Sequence, residues 1–158
     1  MKLKIYIETS VISYLVARPS KNVVTAAHQA STLDFWNRLN DYKVFVSDIV
    51  IQEISKGDEA QAKHRCQIIE NFQVLEIDDE VKGVAQIFLI NKAIPEKCPE
   101  DALHIAVAAA NGMDAIVTWN FKHINNPFIR KRIRQLLKEI GWACPEICSP
   151  EEFLGDEI

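Results

Sequence analysis

Apolar positions in this chain fall into short β-like runs separated by longer stripes of helical period. Lys4, Ile5, Tyr6 and Ile7 form a β-rich run, and Glu8, Thr9 and Ser10 behind it suit a strand end that feeds a helix cap. Further strands are predicted at Lys43 to Val46, Gln73 to Ile77 and Ala115 to Thr118. Between them, Val81, Val84, Ala85, Phe88 and Leu89 keep the i, i+3, i+4, i+7, i+8 rule, and Val23, Ala26, Ala30, Leu33 and Trp36 approximate it, so both segments are helices laid on a core. Ser47 or Asp48 is predicted to cap a helix that carries Ile49, Val50 and Glu53 and stops near Gly57. Pro99 suits the first position of another helix, with Glu100 and Asp101 in the first turn and Gly112 at the end. Phe128, Ile129, Ile133, Leu136, Leu137 and Ile140 give a last helix with basic residues on its other sides.

Strands that alternate with helices predict βα units around a mainly parallel sheet, an α/β architecture. The 158 residues, 48% hydrophobic and 25% charged, fit one globular domain. A chain of this length buries roughly 70% of its unfolded surface and needs no metal or disulfide staple. We place that domain at residues 1–150 and read the acidic end at 151–158, with Glu151, Glu152, Asp156 and Glu157, as a loosely held tail. No window holds 18 apolar residues in a row and the N-terminus enters an alternating segment at once, so neither a membrane span nor a signal peptide is expected; the cytoplasm is the default location. Cys66, Cys98, Cys144 and Cys148 contain no C-x-x-C pair and read as small buried thiols, with neither disulfides nor zinc expected.

The net charge of −4 is unevenly spread. Between Thr118 and Ile140, Lys122, Arg130, Lys131, Arg132, Arg134 and Lys138 stand against Glu139 alone, a local charge of +5 that leaves −9 for the rest. Such a block can hold a polyanion despite the acidic total, because phosphates respond to the local field. Its plain alternative is a solvated helix face. No aromatic platform for stacking bases stands out.

Ligands of open α/β sheets bind beyond the carboxyl ends of the strands. Glu8 ends the first strand, Glu53 lies in the second turn of the helix after the second, Asp101 opens a helix, and Asn120 follows the strand that ends at Thr118. If three carboxylates converge about 5 Å apart, they repel by roughly 3 kcal/mol per pair at an effective dielectric near 20. Against a typical stability of about 5–15 kcal/mol, such a cluster needs protons or a divalent cation. Oxygen donors from Asp, Glu and Asn suit Mg²⁺ or Mn²⁺, and hydrolysis of a phosphodiester by metal-activated water is the reaction such a site supports. Taken singly, each acid reads as an ordinary cap or surface charge. Asp101 and His104 form a D-x-x-H pair, but a carboxylate-bridged di-metal site needs a second pair, so His104 reads as a core or supporting residue.

The runs Ile5-Tyr6-Ile7-Glu8-Thr9-Ser10-Val11-Ile12-Ser13-Tyr14-Leu15, Ser47-Asp48-Ile49-Val50-Ile51-Gln52-Glu53-Ile54, Asp101-Ala102-Leu103-His104-Ile105-Ala106 and Ile116-Val117-Thr118-Trp119-Asn120-Phe121 come in one order. In that order and context they resemble the PIN-domain ribonucleases, in particular the VapC-like toxins of type II toxin–antitoxin systems, over about Lys4 to His123. The resemblance implies a Rossmann-like, three-layer fold with helices on both faces of the sheet. It also implies an RNA endonuclease dependent on Mg²⁺ or Mn²⁺, a partner antitoxin and a homodimer. Glu53 and Asp101 match the second and third acids of the family site, and Thr118 matches its hydroxyl residue. Glu8 stands where the family commonly has Asp, and Asn120 where it commonly has a fourth acid.

The expected catalytic and metal-holding set is therefore Glu8, Glu53, Asp101 and Asn120, supported by Thr9, Ser10 and Thr118. Lys122, His123, Arg130, Lys131 and Arg134 are the candidate RNA contacts. Glu8 carries its carboxylate one methylene further out than Asp, and a shift of about 1 Å at a catalytic centre can cost roughly 100-fold in rate. Asn120 removes one negative charge, so one ion is expected to bind well and a second poorly or only with substrate. A PIN-like RNA- or protein-binding module with impaired catalysis is the alternative. A phosphotransfer receiver domain fits the fold class, but this chain lacks the acid pair before the first helix and the Asp ending a central strand that such a domain needs.

Overall fold

The computed structural model describes residues 1–154. Its strands are β1 (Lys4–Ile7), β2 (Lys43–Ser47), β3 (Gln73–Leu75), β4 (Ala115–Val117) and β5 (Glu146–Cys148), all paired in parallel in the order β3-β2-β1-β4-β5. The helices among the described residues are α1 (Thr9–Val16), α2 (Val23–Trp36), α3 (Asp48–Ile54), α4 (Glu59–Ile68), α5 (Asp79–Ile90), α6 (Pro99–Ala110), α7 (Pro127–Glu139) and α8 (Pro150–Phe153). The chain is thus the expected α/β protein. β1 lies at the centre, with Ile5 opposite Val44 on one side and Ala115 on the other. β1 and its neighbour β4 read as nearly unbroken apolar runs because helices cover both faces of the sheet.

From β1 the chain steps outward to β2 and β3, and α5 and α6 then carry it back across the sheet to β4, on the far side of β1. Right-handed crossovers put the two helix groups on opposite faces. Accordingly, α1 packs with α2, α3 and α4, whereas α5 packs with α6 and α7. The reversal of strand order makes the carboxyl ends of β1 and β4 the topological switch point, where a doubly wound sheet opens a crevice. Under that crevice Tyr6, Ile7, Ile12, Ile105 and Ile116 are fully buried, so its floor is rigid.

The cap at Ser47 is as expected: its hydroxyl accepts the Val50 N–H. Two ends differ from expectation. β3 stops at Leu75 because the N–H of Ile77 turns to the Asp48 carboxylate, 3.2 Å away, instead of to a strand. α3 stops at Ile54, and the later Gly57 provides a left-handed turn (φ 87°) before α4. Three elements escape the periodicity altogether. β5 is a three-residue edge strand, α4 is mostly polar, and α8 lies where a loose tail is expected. Glu151 and Glu152 of that tail belong to α8, whose capping box joins Ser149 to Glu152, and Phe153 packs edge-on against Phe35 and Tyr42. Asp156 and Glu157 lie outside the described residues. The four cysteines are free and half-buried rather than buried, since each sits at the margin of the core. Among the described residues no helix is long and apolar enough to cross a membrane.

Candidate active site

Glu8 leaves the end of β1 as the N-cap of α1, yet its carboxylate does not cap the helix. It turns into the crevice, where Oε1 accepts hydrogen bonds from Thr118 Oγ1 (2.6 Å) and Ser10 Oγ. Only 5% of Glu8 is exposed, so these hydroxyls replace its lost water. The Glu53 carboxylate is supplied by α3: Oε1 accepts Thr9 Oγ1 at 2.7 Å and meets His104 Nε2 at 2.6 Å. Asp101 occupies the first turn of α6, with Oδ1 accepting Asn120 Nδ2 (3.1 Å) and Oδ2 facing His123 Nδ1 (3.0 Å).

Two residues stitch these carboxylates into one network. His104, one helical turn beyond Asp101 and fully buried, places Nε2 2.6 Å from Glu53 and 3.9 Å from Glu8. Thr118 bonds Glu8 and accepts the Asn120 N–H at 2.9 Å, which continues the chain to Asp101. Glu8, Thr9, Ser10, Glu53, Asp101, Thr118, Asn120 and His123 therefore meet at one site.

The electrostatics of the inner half follow from His104. Burial alone would lower its pKa, but the Glu53 hydrogen bond and the charges of Glu8, Glu53 and Asp101 raise it above the ordinary value. Burial would raise Glu53; its bond to His104, the imidazolium charge, the Thr9 hydroxyl and Lys56 together hold it below the usual carboxylate range. With Nε2–H given to Glu53, the other ring nitrogen meets the Tyr6 hydroxyl at 2.7 Å, and that hydroxyl reaches Ser47 Oγ at 2.8 Å. Burial keeps Tyr6 protonated far above neutrality, with the Glu8 and Glu53 charges acting the same way against the Ser47 bond. One buried histidine, its pKa raised, thus faces three carboxylates, and even when it is protonated negative charge remains for a divalent cation to balance. Three hard carboxylates around that charge fit Mg²⁺ or Mn²⁺.

The fourth corner works differently from a carboxylate. Asn120 Oδ1 caps the N–H of His123 (3.0 Å) while its NH₂ holds Asp101, so the amide orients its neighbours. His123, a candidate RNA contact in sequence, spends its Nδ1 on Asp101. Arg130 is bonded to Asn125, which also bonds Glu152, and so ties α7 to α8. Lys122, Lys131 and Arg134 are exposed and stand outside the carboxylate network.

The sequence also concealed an aromatic group beside the site. Trp119 lies on His28 (centroids 4.1 Å apart, 19° between planes), and Tyr14 and Phe121 pack around them. Trp119 Nε1 bonds Thr32, which moors the Asn120 loop to α2, and Phe121 stays 46% exposed. These rings come from three separate segments, so no local pattern announces them. Tyr6 escaped for the same reason, whereas His104, read from the D-x-x-H spacing as a core or supporting residue, is fully buried and supports Glu53.

A doubly wound sheet with an acidic crevice at its switch point defines the class. Residues 5–128 match the PIN domain, and the chain belongs to that family, whose members are generally nucleases and typically use divalent metals. Among solved structures it is similar to VapBC2 from Rickettsia felis bound to a DNA fragment from their promoter, at 16% identity and a TM-score of 0.61, covering 93% of this chain and 98% of that one. A tyrosyl-tRNA synthetase complexed with L-tyrosine from Archaeoglobus fulgidus aligns at 13% identity and a TM-score of 0.49, over 93% of this chain and 55% of that one. No curated protein matches.

Proposed function

We propose that the protein is an endoribonuclease dependent on Mg²⁺ or Mn²⁺. The observation that carries the reading is the convergence of Glu8, Glu53 and Asp101 on one hydrogen-bonded network at the β1/β4 switch point. Glu53 and Asp101, both partly open to solvent, and the deeper Glu8 would hold the ion. Such an ion supplies Lewis-acid activation of water and of the phosphodiester. The chain's own contribution is positional. Thr118 and Ser10 fix Glu8, Thr9 and His104 fix Glu53, and Asn120 with His123 fixes Asp101. Lys122 in the loop after Asn120 and the exposed Lys131 and Arg134 of α7 attract the strand. We assign the protein to the toxin side of a toxin–antitoxin pair, with an antitoxin and a second copy as partners in the cytoplasm; the similarity to VapBC2 supports this.

One observation favours the non-cleaving alternative, a binding module: the fourth corner offers an amide already engaged with its neighbours in place of a carboxylate. Cleavage of a mixed RNA substrate with Mn²⁺ or Mg²⁺ decides between them. The wild type should cut, and Glu53→Ala and Asp101→Ala should each lose more than the roughly 10–100-fold that removal of an outer partner costs. Wild-type binding without cutting establishes the module, and equal cutting by all three proteins removes the site.

A further inference from the structure

Asp101 and His123 also share a second donor set with Cys98, which the carboxylate network does not use. Cys98 Sγ, an Asp101 carboxylate oxygen and a His123 ring nitrogen all lie within 4.8 Å of one another, each on a half-buried residue. Cys98 and Asp101 occupy the N-cap and third positions of α6, where a capping box would hold Ser or Thr and Glu. Here that box is not made. The Cys98 side chain makes no cap hydrogen bond, and its backbone N–H goes to the Pro95 carbonyl at 2.9 Å, while Asp101 faces Asn120 and His123. Both side chains are thereby released toward the same point as the His123 ring.

We propose that Cys98, Asp101 and His123 form a three-ligand site for a borderline divalent cation of the zinc class. Thiolate, imidazole and carboxylate donors select such an ion over Mg²⁺, which prefers oxygen alone. Tetrahedral bonding holds these donors about 3.4–3.7 Å apart, so a small side-chain rotation closes the set. A water completes the fourth position, and the Cys98 thiol proton leaves to solvent as the ion binds. The ion also takes Asp101 away from the hard-ion centre. This consequence, and only this, rests on the nuclease reading: a zinc-class ion then inhibits cleavage.

The test uses the whole protein with Co²⁺ alone. Titration should produce a thiolate-to-cobalt charge-transfer absorption that saturates at one ion per chain and is displaced by Zn²⁺. Cys98→Ser and His123→Ala should each lose that band while keeping the wild-type circular dichroism, and Cys66→Ser and Cys144→Ser should retain it. Absence of the band, or its persistence in folded Cys98→Ser, overturns the proposal. If Cys98→Ser fails to fold, loss of the band in folded His123→Ala supports the site, and its persistence there overturns it. Glu53→Gln lies outside the triad and separates the two readings, because it should keep the cobalt band whether or not the wild type cuts RNA. Where the wild type does cut, one equivalent of Zn²⁺ should suppress its rate, and Cys98→Ser, measured against its own zinc-free rate, should resist. Zinc sensitivity that is equal in both proteins overturns the inhibitory role.

Discussion

The inner and outer halves of the site contain the same kind of carboxylate in opposite settings. Inside, Glu8 and Glu53 share a fully buried imidazole that is itself anchored through Tyr6 to Ser47 at the end of β2. Outside, Asp101 is held by an amide and by a second histidine, each half-buried, and a free thiol lies close to the carboxylate and the histidine. The inner half carries its own counter-charge and is braced by the core, whereas the outer half is lined by exchangeable ligands. Burial of His104 and Glu8 accounts for the difference, since Glu53 is as open to solvent as Asp101: a charge removed from water must find a fixed partner, and one at the rim can change partners. Stability should therefore depend on the inner half, and ion choice on the outer.

The largest effect that tests this contrast is His104→Ala. Removing one partner of a buried charged pair strands the others, so unfolding in urea should show a loss of about 3–5 kcal/mol. Asn120→Ala at the rim should cost about 1 kcal/mol or less in the same assay. Equal losses would erase the distinction between the halves.

A smaller effect should appear in the pH dependence of stability. The Glu53 pKa is lowered by folding, so its contribution is complete above the ordinary value of 4.5 and disappears as pH falls through the folded value. That of His104 is raised, so its contribution is complete below the ordinary value of 6.5 and disappears as pH rises through the folded value. The pair should stabilise most between pH 4.5 and 6.5. In His104→Gln the decline on the alkaline side should vanish, and an unchanged profile would assign it to other groups.

Ion stoichiometry examines the outer half more gently. Calorimetric titration with Mn²⁺ should find one tight ion in the free wild type, and Asn120→Asp should strengthen a second. Two equally tight ions in the wild type would contradict the role given to the amide. The smallest effect concerns α7. Arg130 is committed to Asn125, so Lys131→Ala with Arg134→Ala should lower the salt slope of single-stranded RNA binding by about 1.4, two contacts at about 0.7 each. An unchanged slope would leave that face merely solvated.

How far the chain could be read in advance differs from element to element. β1, β2, α5 and α6 were legible because a run of apolar residues, a cap or a proline lies within about ten residues of sequence. β5 was not, because a three-residue edge strand is too short to show a period and exists through its pairing with β4. The acids Glu8, Glu53 and Asp101 were recognisable as candidates from their places at element boundaries. Thr9, Ser10 and Thr118 were recognisable as supporting residues and His104 as a core or supporting one, but the bonds they make were not: Thr118 lies 110 residues from Glu8, and His104 lies 51 from Glu53.

Sequence alone thus settled the local elements, the α/β class and the motifs that join the chain to its family, and it nominated candidates for the four corners. Tertiary packing settled that a buried histidine stands between two of the acids, that Asn120 serves Asp101 through its amide, and that Cys98 and His123 converge on the same carboxylate. The physical reason is range. Helix and strand preferences act between near neighbours and leave a periodic trace, whereas the charge and donor geometry of the crevice arise from strand register and helix packing between segments that share no local pattern.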